Sequence, residues 1–183
     1  TPSRSDRRVC ARTPPPPTLG VFHGNSAPSA RLRTAPRRLI LPPALQNLRD
    51  TIRQRLVRER GTIFKDAPVR VALLYPSPYS VGMSSLGYQT LYRELNARED
   101  TVAERAFAPD DPARARHLRE GVCTYESGRA LADHPIVAAS VAYEGELGGL
   151  IDTLELGGVP ALRDERAPGR HPFVLAGGPL TFS

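Results

Sequence analysis

Residues 69–82 read VRVALLYPSPYSVG, and this stretch decides the fold. Residues 69–75 are almost uniformly apolar, which is typical of a strand buried on both faces of a parallel sheet. The proline, serine and glycine residues that follow predict a turn, after which Ser84 or Ser85 can cap a helix. Within that helix, apolar residues recur at helical spacing at Tyr88, Leu91, Tyr92 and Leu95.

The alternation of strand and helix continues along the chain. Three further strands are predicted, at residues 102–107, 136–143 and 173–176. A helix before the last strand ends at Gly157 and Gly158. Charged Glu104 and Arg105 indicate that the second strand lies at an edge of the sheet. We therefore predict an α/β fold with a Rossmann-like, doubly wound parallel sheet in the order 2-1-3-4, truncated after the fourth strand and with a fifth strand expected beyond it.

The amino-terminal part of the chain differs in composition. Residues 1–65 carry 14 Arg or Lys against 3 Asp or Glu, whereas residues 66–183 carry 11 against 16. Residues 1–43 hold 9 of the 19 prolines and almost no periodic apolar pattern, which predicts a disordered basic tail. Residues 44–61 predict an amphipathic helix with an Arg-rich outer face, and residues 62–183 the Rossmann-like domain.

Composition also excludes several classes of protein. Two cysteines, Cys10 and Cys123, are too few for a disulfide framework or a four-cysteine zinc site. No apolar run reaches the roughly 20 residues of a membrane helix, and no signal peptide opens the chain, so we expect a cytoplasmic protein. Because the chain starts at Thr1 and stops at Ser183, directly after an apolar run and a glycine pair, we interpret it as a fragment.

Ligands of doubly wound sheets bind beyond the carboxyl ends of the strands. Those ends correspond to the loops at 76–84, 143–146 and 177–183. The first loop is not a phosphate loop, because Tyr88 and Gln89 stand where Lys and Ser or Thr are needed, and no strand is followed by a dinucleotide fingerprint. Its small residues form a glycine- and serine-rich mouth that a large flat ligand can approach closely. Gly82 and Gly87 can equally serve a turn and helix packing alone.

Catalytic groups are scarce in the sequence. Glu144 and Glu146 follow the third strand, where they fit solvated carboxylates of a first helical turn better than an acid/base pair. Cys123 has no His or second Cys beside it and is interpreted as a buried structural thiol. The four histidines lie apart, at His23, His117, His134 and His171. We therefore predict no catalytic residue and no metal ligand in this chain.

Six motifs follow one another along residues 62–183. They are VRVALLYP at 69–76, YSVGMSSLG at 79–87, AERAFAP at 103–109, ESGR at 126–129, SVAYE at 140–144 and LAGGP at 175–179. In this order they resemble the amino-terminal region of a family of largely uncharacterised radical SAM proteins with a cobalamin-binding-like domain. The ordered set is far more specific than any one motif.

This resemblance implies a Rossmann-like domain that, in members that bind cobalamin, holds the corrin over the strand ends. Ser140 resembles the serine of the cobalamin-domain pattern, and Gly177 and Gly178 resemble its glycine pair. The D-x-H-x-x-G element, whose histidine ligates cobalt in many such domains, is absent, so any cobalamin would bind without a protein histidine. The residues predicted to contact it are Tyr79, Gly82, Ser84, Ser85, Ser140, Tyr143, Gly177 and Gly178.

The resemblance also implies a downstream barrel with a 4Fe-4S cluster and S-adenosylmethionine. Such a cluster needs three thiolates, typically spaced C-x3-C-x2-C, and this chain has only two cysteines. We therefore predict a cobalamin-binding-like module that positions a corrinoid or packs on the downstream radical SAM barrel of the same chain. Two alternatives stay open: a cofactor-free interaction module and, as the weaker one, a nucleic-acid-associated protein acting through the basic arm.

Overall fold

A computed structural model describes residues 47–182 of the chain. In this part of the chain, four parallel strands form one sheet in the order β2-β1-β3-β4, which confirms the predicted order and the Rossmann-like, doubly wound class. The strands are β1 (Val69–Pro78), β2 (Thr101–Ala108), β3 (Ile136–Ser140) and β4 (Phe173–Gly177). The α-helices of the same region are α1 (Leu48–Arg58), α2 (Tyr79–Gly82), α3 (Leu86–Ala97), α4 (Pro112–Leu118) and α5 (Glu146–Leu156). The predicted tail at residues 1–43 lies outside the described residues.

Strand β1 is the centre of the sheet. It pairs with β2 on one side, where Leu73 lies opposite Arg105, and with β3 on the other, where Leu73 lies opposite Ala138. Residues 71–76 of β1 are all buried, as the uniformly apolar sequence predicts. Since β4 pairs only with β3, it forms the second edge of the sheet within the described residues.

Alternate residues of β1 point into two separate cores. Leu73 and Tyr75 belong to an aromatic cluster with Tyr88 of α3 and Ile52 of α1. Leu74 belongs to an aliphatic cluster on the other face, together with residues of β3 and α5. Helices α1 and α3 therefore cover one face and α5 the other, which is the arrangement that right-handed crossovers produce in a doubly wound sheet.

The buried face of α3 is rotated from the prediction. Tyr88, Tyr92 and Asn96 are its buried residues, and Leu91, predicted to lie on that face, is exposed. The cause is polar: the Asn96 side chain donates to Ala103 O at 3.0 Å and accepts from Ala103 N at 3.1 Å. The buried Asn96 amide bonds both the N–H and the C=O of Ala103, so a polar side chain occupies a position on the buried face of α3.

Strand β2 lies at an edge, as predicted, but its charged residues are not exposed. All eight of its residues are buried, including Glu104 and Arg105. The segment after α4 covers the outer side of the strand, since Tyr125 N donates to Arg105 O at 2.8 Å. Edge position and burial are thus compatible here because another part of the chain caps the edge.

Two predicted boundaries are shifted. Strand β1 continues through Pro78 with an irregularity after Tyr75, and Tyr79–Gly82 is helical, so most of the predicted turn at 76–82 is regular structure. Strand β3 ends at Ser140 rather than at residue 143. Within residues 47–182, no helix combines the length and the apolar character needed to cross a bilayer.

Candidate functional site

Helix α2 carries Tyr79 into contact with the end of α1. The Tyr79 hydroxyl donates to Glu59 Oε1 at 2.6 Å, and its ring stacks on Tyr125 with ring centroids 5.3 Å apart. The Arg55 guanidinium lies 4.7 Å from the centroid of the Tyr79 ring. Burial, reinforced by the Glu59 carboxylate, raises the pKa of Tyr79 to about 12. The Tyr79 side chain, predicted to contact a ligand, is therefore bound to Glu59, Tyr125 and Arg55 of its own chain.

The glycines at the carboxyl ends of the strands have different surroundings. A Cβ on Gly82 would lie 2.5 Å from the Phe107 ring, so this glycine lets α2 pack on the aromatic cluster. Gly178 has a φ of 134°, and a Cβ there would collide with the Val141 carbonyl oxygen. A Cβ on Gly177 would meet no atom within 4 Å. Packing thus explains Gly82 and Gly178, whereas Gly177 borders open space.

Ser84 and Ser85 make local hydrogen bonds. Ser85, one of the two predicted caps, is the N-cap of α3, and its Oγ accepts from Tyr88 N at 3.3 Å. Ser84 Oγ donates to Ser80 O at 2.8 Å, and the side chain is exposed. Both serines therefore shape the start of α3, and Ser84 also borders solvent.

Glu146 connects the ends of two strands, which the sequence did not predict. Its side chain is fully buried; Oε2 accepts from Ala142 N at 2.6 Å and Oε1 accepts from Ser77 Oγ at 3.2 Å. Burial raises the pKa of Tyr75, and the nearby Glu146 carboxylate raises it further. The prediction of a solvated carboxylate holds for Glu144, which is exposed, and is wrong for Glu146, because Glu146 joins the ends of β1 and β3 at the point where the strand order reverses.

Ser140 and Tyr143 lie beside this junction. Ser140 is the last residue of β3, is half-buried and pairs with Gly177 of β4. The Tyr143 side chain is exposed. Ser140, Tyr143 and Gly177 are therefore the predicted residues that leave accessible surface around the ends of β3 and β4.

Exposed apolar side chains surround the same end of the sheet. Val81 in α2 and Leu86 at the start of α3 follow β1. Tyr143 in the loop and Leu147 at the start of α5 follow β3. We call these four residues the apolar rim. Several exposed apolar side chains at one end of a domain are typical of an interaction site.

A network of buried charges is centred on Arg105 of β2. Arg105 Nη2 donates to Glu59 Oε2 at 2.7 Å and Arg105 Nε donates to Glu126 Oε1 at 2.6 Å. Burial opposes the charge of Arg105, but Glu126 and Glu59 raise the pKa of the guanidinium above its ordinary value. Burial raises the pKa of Glu126, against the attraction of Arg105. This network holds α1 and the segment after α4 against the edge strand.

Glu104 is the centre of a second group. Its Oε2 accepts from Thr124 Oγ1 at 2.6 Å and also contacts Ser127 Oγ, and His134 Nε2 lies 3.3 Å from the same oxygen. Arg70 forms an ion pair with Oε1 at 3.3 Å. Burial favours the neutral acid, but the hydrogen bonds from His134, Ser127 and Thr124 outweigh it and lower the pKa of Glu104 to about 2. The sequence does not predict this group, because Thr124, Ser127 and His134 follow Glu104 by 20 to 30 residues.

Comparison with protein families decides the identity of the chain. The family model described as "Radical SAM proteins, N-terminal" matches residues 87–183, slightly more than half of the chain. The chain belongs to this family. The match to the radical SAM N-terminal family starts within α3 and includes β2, β3 and β4. The part of the resemblance that concerns radical SAM proteins is therefore confirmed.

Neither the curated proteins nor the solved structures include a match to the chain. Across residues 47–182, no three His, Cys, Asp or Glu side chains gather into a group that could hold a metal ion. Cys123 is buried, and burial raises the pKa of its thiol. The thiol of Cys123 is therefore shielded from solvent.

Proposed function

We propose that this chain is a packing module of a radical SAM protein, and that it docks through its apolar rim on the domain that holds the 4Fe-4S cluster and S-adenosylmethionine. In this proposal, residues 62–183 form the module, residues 44–61 brace it through α1, and residues 1–43 are a basic tail. The proposed location is the cytoplasm. The catalytic thiolates belong to the downstream domain of the same protein.

The apolar rim is the observation that carries this proposal. Leu86 is 76% exposed and Tyr143 is 54% exposed, although both lie beside a well-packed core. Burying a side chain of this size contributes about 1.5–3 kcal/mol, so a partner that covers the rim gains substantial binding energy. The carboxyl end of a doubly wound sheet is also where such domains present their binding surfaces.

The packed glycines favour a protein partner over a cofactor at the end of β1. The Phe107 ring occupies the space beside Gly82. Helix α5 approaches β1 so closely that a Cβ on Gly149 would collide with Pro76 O. The Tyr79 hydroxyl is already bonded to Glu59. A flat ligand would therefore find few free donors and little open space beside the first strand.

The first test is to sequence the transcript after the codon for Ser183. Three cysteines at C-x3-C-x2-C spacing within the next few hundred residues support the proposal, whereas an early stop codon overturns the docking to a downstream domain.

The second test locates the docked face. Hydroxyl-radical footprinting would compare the 183-residue chain with the longer natural protein. We expect Leu86 and Tyr143 to be modified several times more slowly in the longer protein, while exposed Val57 and Phe64 on the α1 side keep their rates. Equal rates at Leu86 and Tyr143 in both proteins would contradict docking through the rim.

Corrinoid binding is a second candidate function, and the open space at Gly177 favours it. A bound corrinoid would supply a cobalt atom able to carry an alkyl group, and Ser140, Tyr143 and Gly177 are the residues that would hold it over the ends of β3 and β4. The first loop, at 76–84, contains no histidine that could ligate the metal.

The visible spectrum of hydroxocobalamin tests this second candidate. If the full chain shifts the spectrum, Gly177→Leu should abolish the shift by filling the open space. Gly87→Leu is the matched control, because a Cβ on Gly87 also meets no atom within 4 Å. No spectral change at high concentration removes corrinoid binding and leaves the packing module.

A further inference from the structure

A cavity of about 700 Å³ lies at the amino ends of β3 and β4, at the opposite end of the strands from the apolar rim. One wall is formed by residues 132–135 before β3 and by the first residues of β4, and the other by Arg163 and residues 166–172. Small-molecule sites in proteins have volumes of about 300–1,000 Å³, so the cavity has the size of a ligand site.

Two turns bring three arginines to this cavity. A 3-10 turn spans Arg163–Glu165, and Arg166 N donates to Arg163 O at 3.0 Å. A second turn follows, in which Arg170 N donates to Ala167 O at 3.2 Å. Its central residues are Pro168 and Gly169, and the φ of 78° at Gly169 is what a type II turn requires at that position.

The three guanidinium groups are differently prepared for a ligand. Arg166 Nε donates to Pro160 O at 2.9 Å and its Nη2 to Ala161 O at 2.7 Å, so the group is held in place with other N–H donors left over. Within the described residues, the side chains of Arg163 and Arg170 have neither an ion-pair nor a hydrogen-bond partner.

The remaining polar residues of the wall leave the cavity positively charged. Asp133 is the carboxylate among its lining residues, whereas Asp164 and Glu165 lie in the same turn as Arg163 without lining the cavity. His134 is occupied, because its Nδ1 lies 3.0 Å from Ala130 O and its Nε2 contacts Glu104. His171 Nδ1 accepts from Ala167 N at 2.9 Å and so supports the second turn. The ring of Phe173 is largely exposed beside these charges.

We propose that this cavity binds a small molecule that carries phosphate groups. Arg163, Arg166 and Arg170 would contact the phosphate oxygens, since guanidinium donors match phosphate geometry and form strong, charge-assisted hydrogen bonds. Phe173 would lie against the organic part of the ligand when there is one. Nucleotides and inorganic pyrophosphate share this chemistry, and the experiment distinguishes them.

Isothermal titration of the full chain at low ionic strength, with ADP, pyrophosphate and adenosine as separate probes, tests the proposal. We expect ADP or pyrophosphate to bind and adenosine not to bind. The double variant Arg163→Gln/Arg170→Gln should weaken binding by at least about tenfold, because each lost hydrogen bond to a charged group contributes that much or more. Both side chains are exposed and unpartnered, so the melting temperature should not change.

The matched control is Arg58→Gln/Arg60→Gln, which removes the same charge from exposed residues that do not line the cavity. Its affinity should equal that of the parent chain. Tighter binding of ADP than of pyrophosphate, reduced by Phe173→Ala, identifies a nucleotide; equal binding of both identifies the inorganic anion. The proposal is overturned if neither anion binds, or if both double variants weaken binding equally.

Discussion

The burial of the two edge strands is the opposite of what their sequences suggest. Strand β2 contains Glu104 and Arg105, yet all its residues are buried. Strand β4 reads FVLAG and carries no charge, yet Phe173 and Leu175 are exposed. The charged edge is the covered one, and the apolar edge is the open one.

Contacts with the rest of the chain determine whether an edge strand is buried. Strand β2 is covered because Glu59, Glu126 and His134 arrive from three other segments and satisfy its charges. A buried ion pair compensates for desolvation only when such additional partners complete it. Strand β4 has no comparable cover within the described residues, so its apolar side chains face solvent.

Replacing a phenylalanine by alanine on each edge strand should give the largest difference in unfolding free energy. Phe107→Ala should cost about 3–5 kcal/mol of unfolding free energy, because it opens a cavity in the core. The Phe107 ring is 3% exposed and packs edge-on against Tyr79 and Tyr125. Phe173 is 67% exposed, so Phe173→Ala should change the unfolding free energy by no more than about 0.5 kcal/mol. Urea unfolding at equal m values measures both.

Similar losses of unfolding free energy for the two phenylalanine variants would contradict this prediction. They would mean that β4 is as covered as β2 in solution.

The acid sensitivity of β2 is the next largest effect. The pKa of Glu104 is about 2 in the folded protein and 4.5 ordinarily, so its ionised form stabilises the fold fully above pH 4.5. This contribution, on the order of 3 kcal/mol, is lost as the pH falls from about 4.5 to 2. The difference in unfolding free energy between the parent and Glu104→Gln should therefore be largest at pH 7 and shrink below about pH 4.5.

Asp66→Asn is the control for Glu104→Gln. Asp66 pairs with the same Arg70 but is 87% exposed, so this variant should cost less than about 1 kcal/mol. A difference for Glu104→Gln that does not depend on pH would show that the carboxylate contributes shape rather than charge.

The open edge at β4 gives the smallest effect on stability. Exposed apolar edge strands favour association between chains, and a lysine on such a strand opposes it. Leu175→Lys should lower the self-association seen by sedimentation velocity at high concentration, with the unfolding free energy unchanged within about 0.5 kcal/mol. Leu118→Lys, at an exposed leucine that ends α4, should not lower it. A parent chain that stays monomeric at every concentration would contradict this prediction.

Some features of the fold are encoded locally in the sequence, and others depend on contacts between distant segments. The burial of β1 and a serine cap at position 84 or 85 follow from local apolar runs and capping signals. The strand order follows from the alternation of strands and helices along the chain. The motifs in order identified the radical SAM family. The rotation of α3 toward Asn96, the junction made by Glu146 and the partners of Glu104 depend on contacts between distant segments, and no local pattern encodes those.

The buried ion pairs of β2 also have a consequence for folding during synthesis, because some partners of Arg105 and Glu104 are made later than the strand. Arg105 leaves the ribosome with Glu59 already made, but its second partner, Glu126, lies 21 residues later. At about 5–20 residues per second, Glu126 follows about 1–4 s after Arg105. Glu104 likewise waits for Thr124 and then for His134, 30 residues after it. We expect β2 of the nascent chain to dock stably on β1 only after this later segment has emerged.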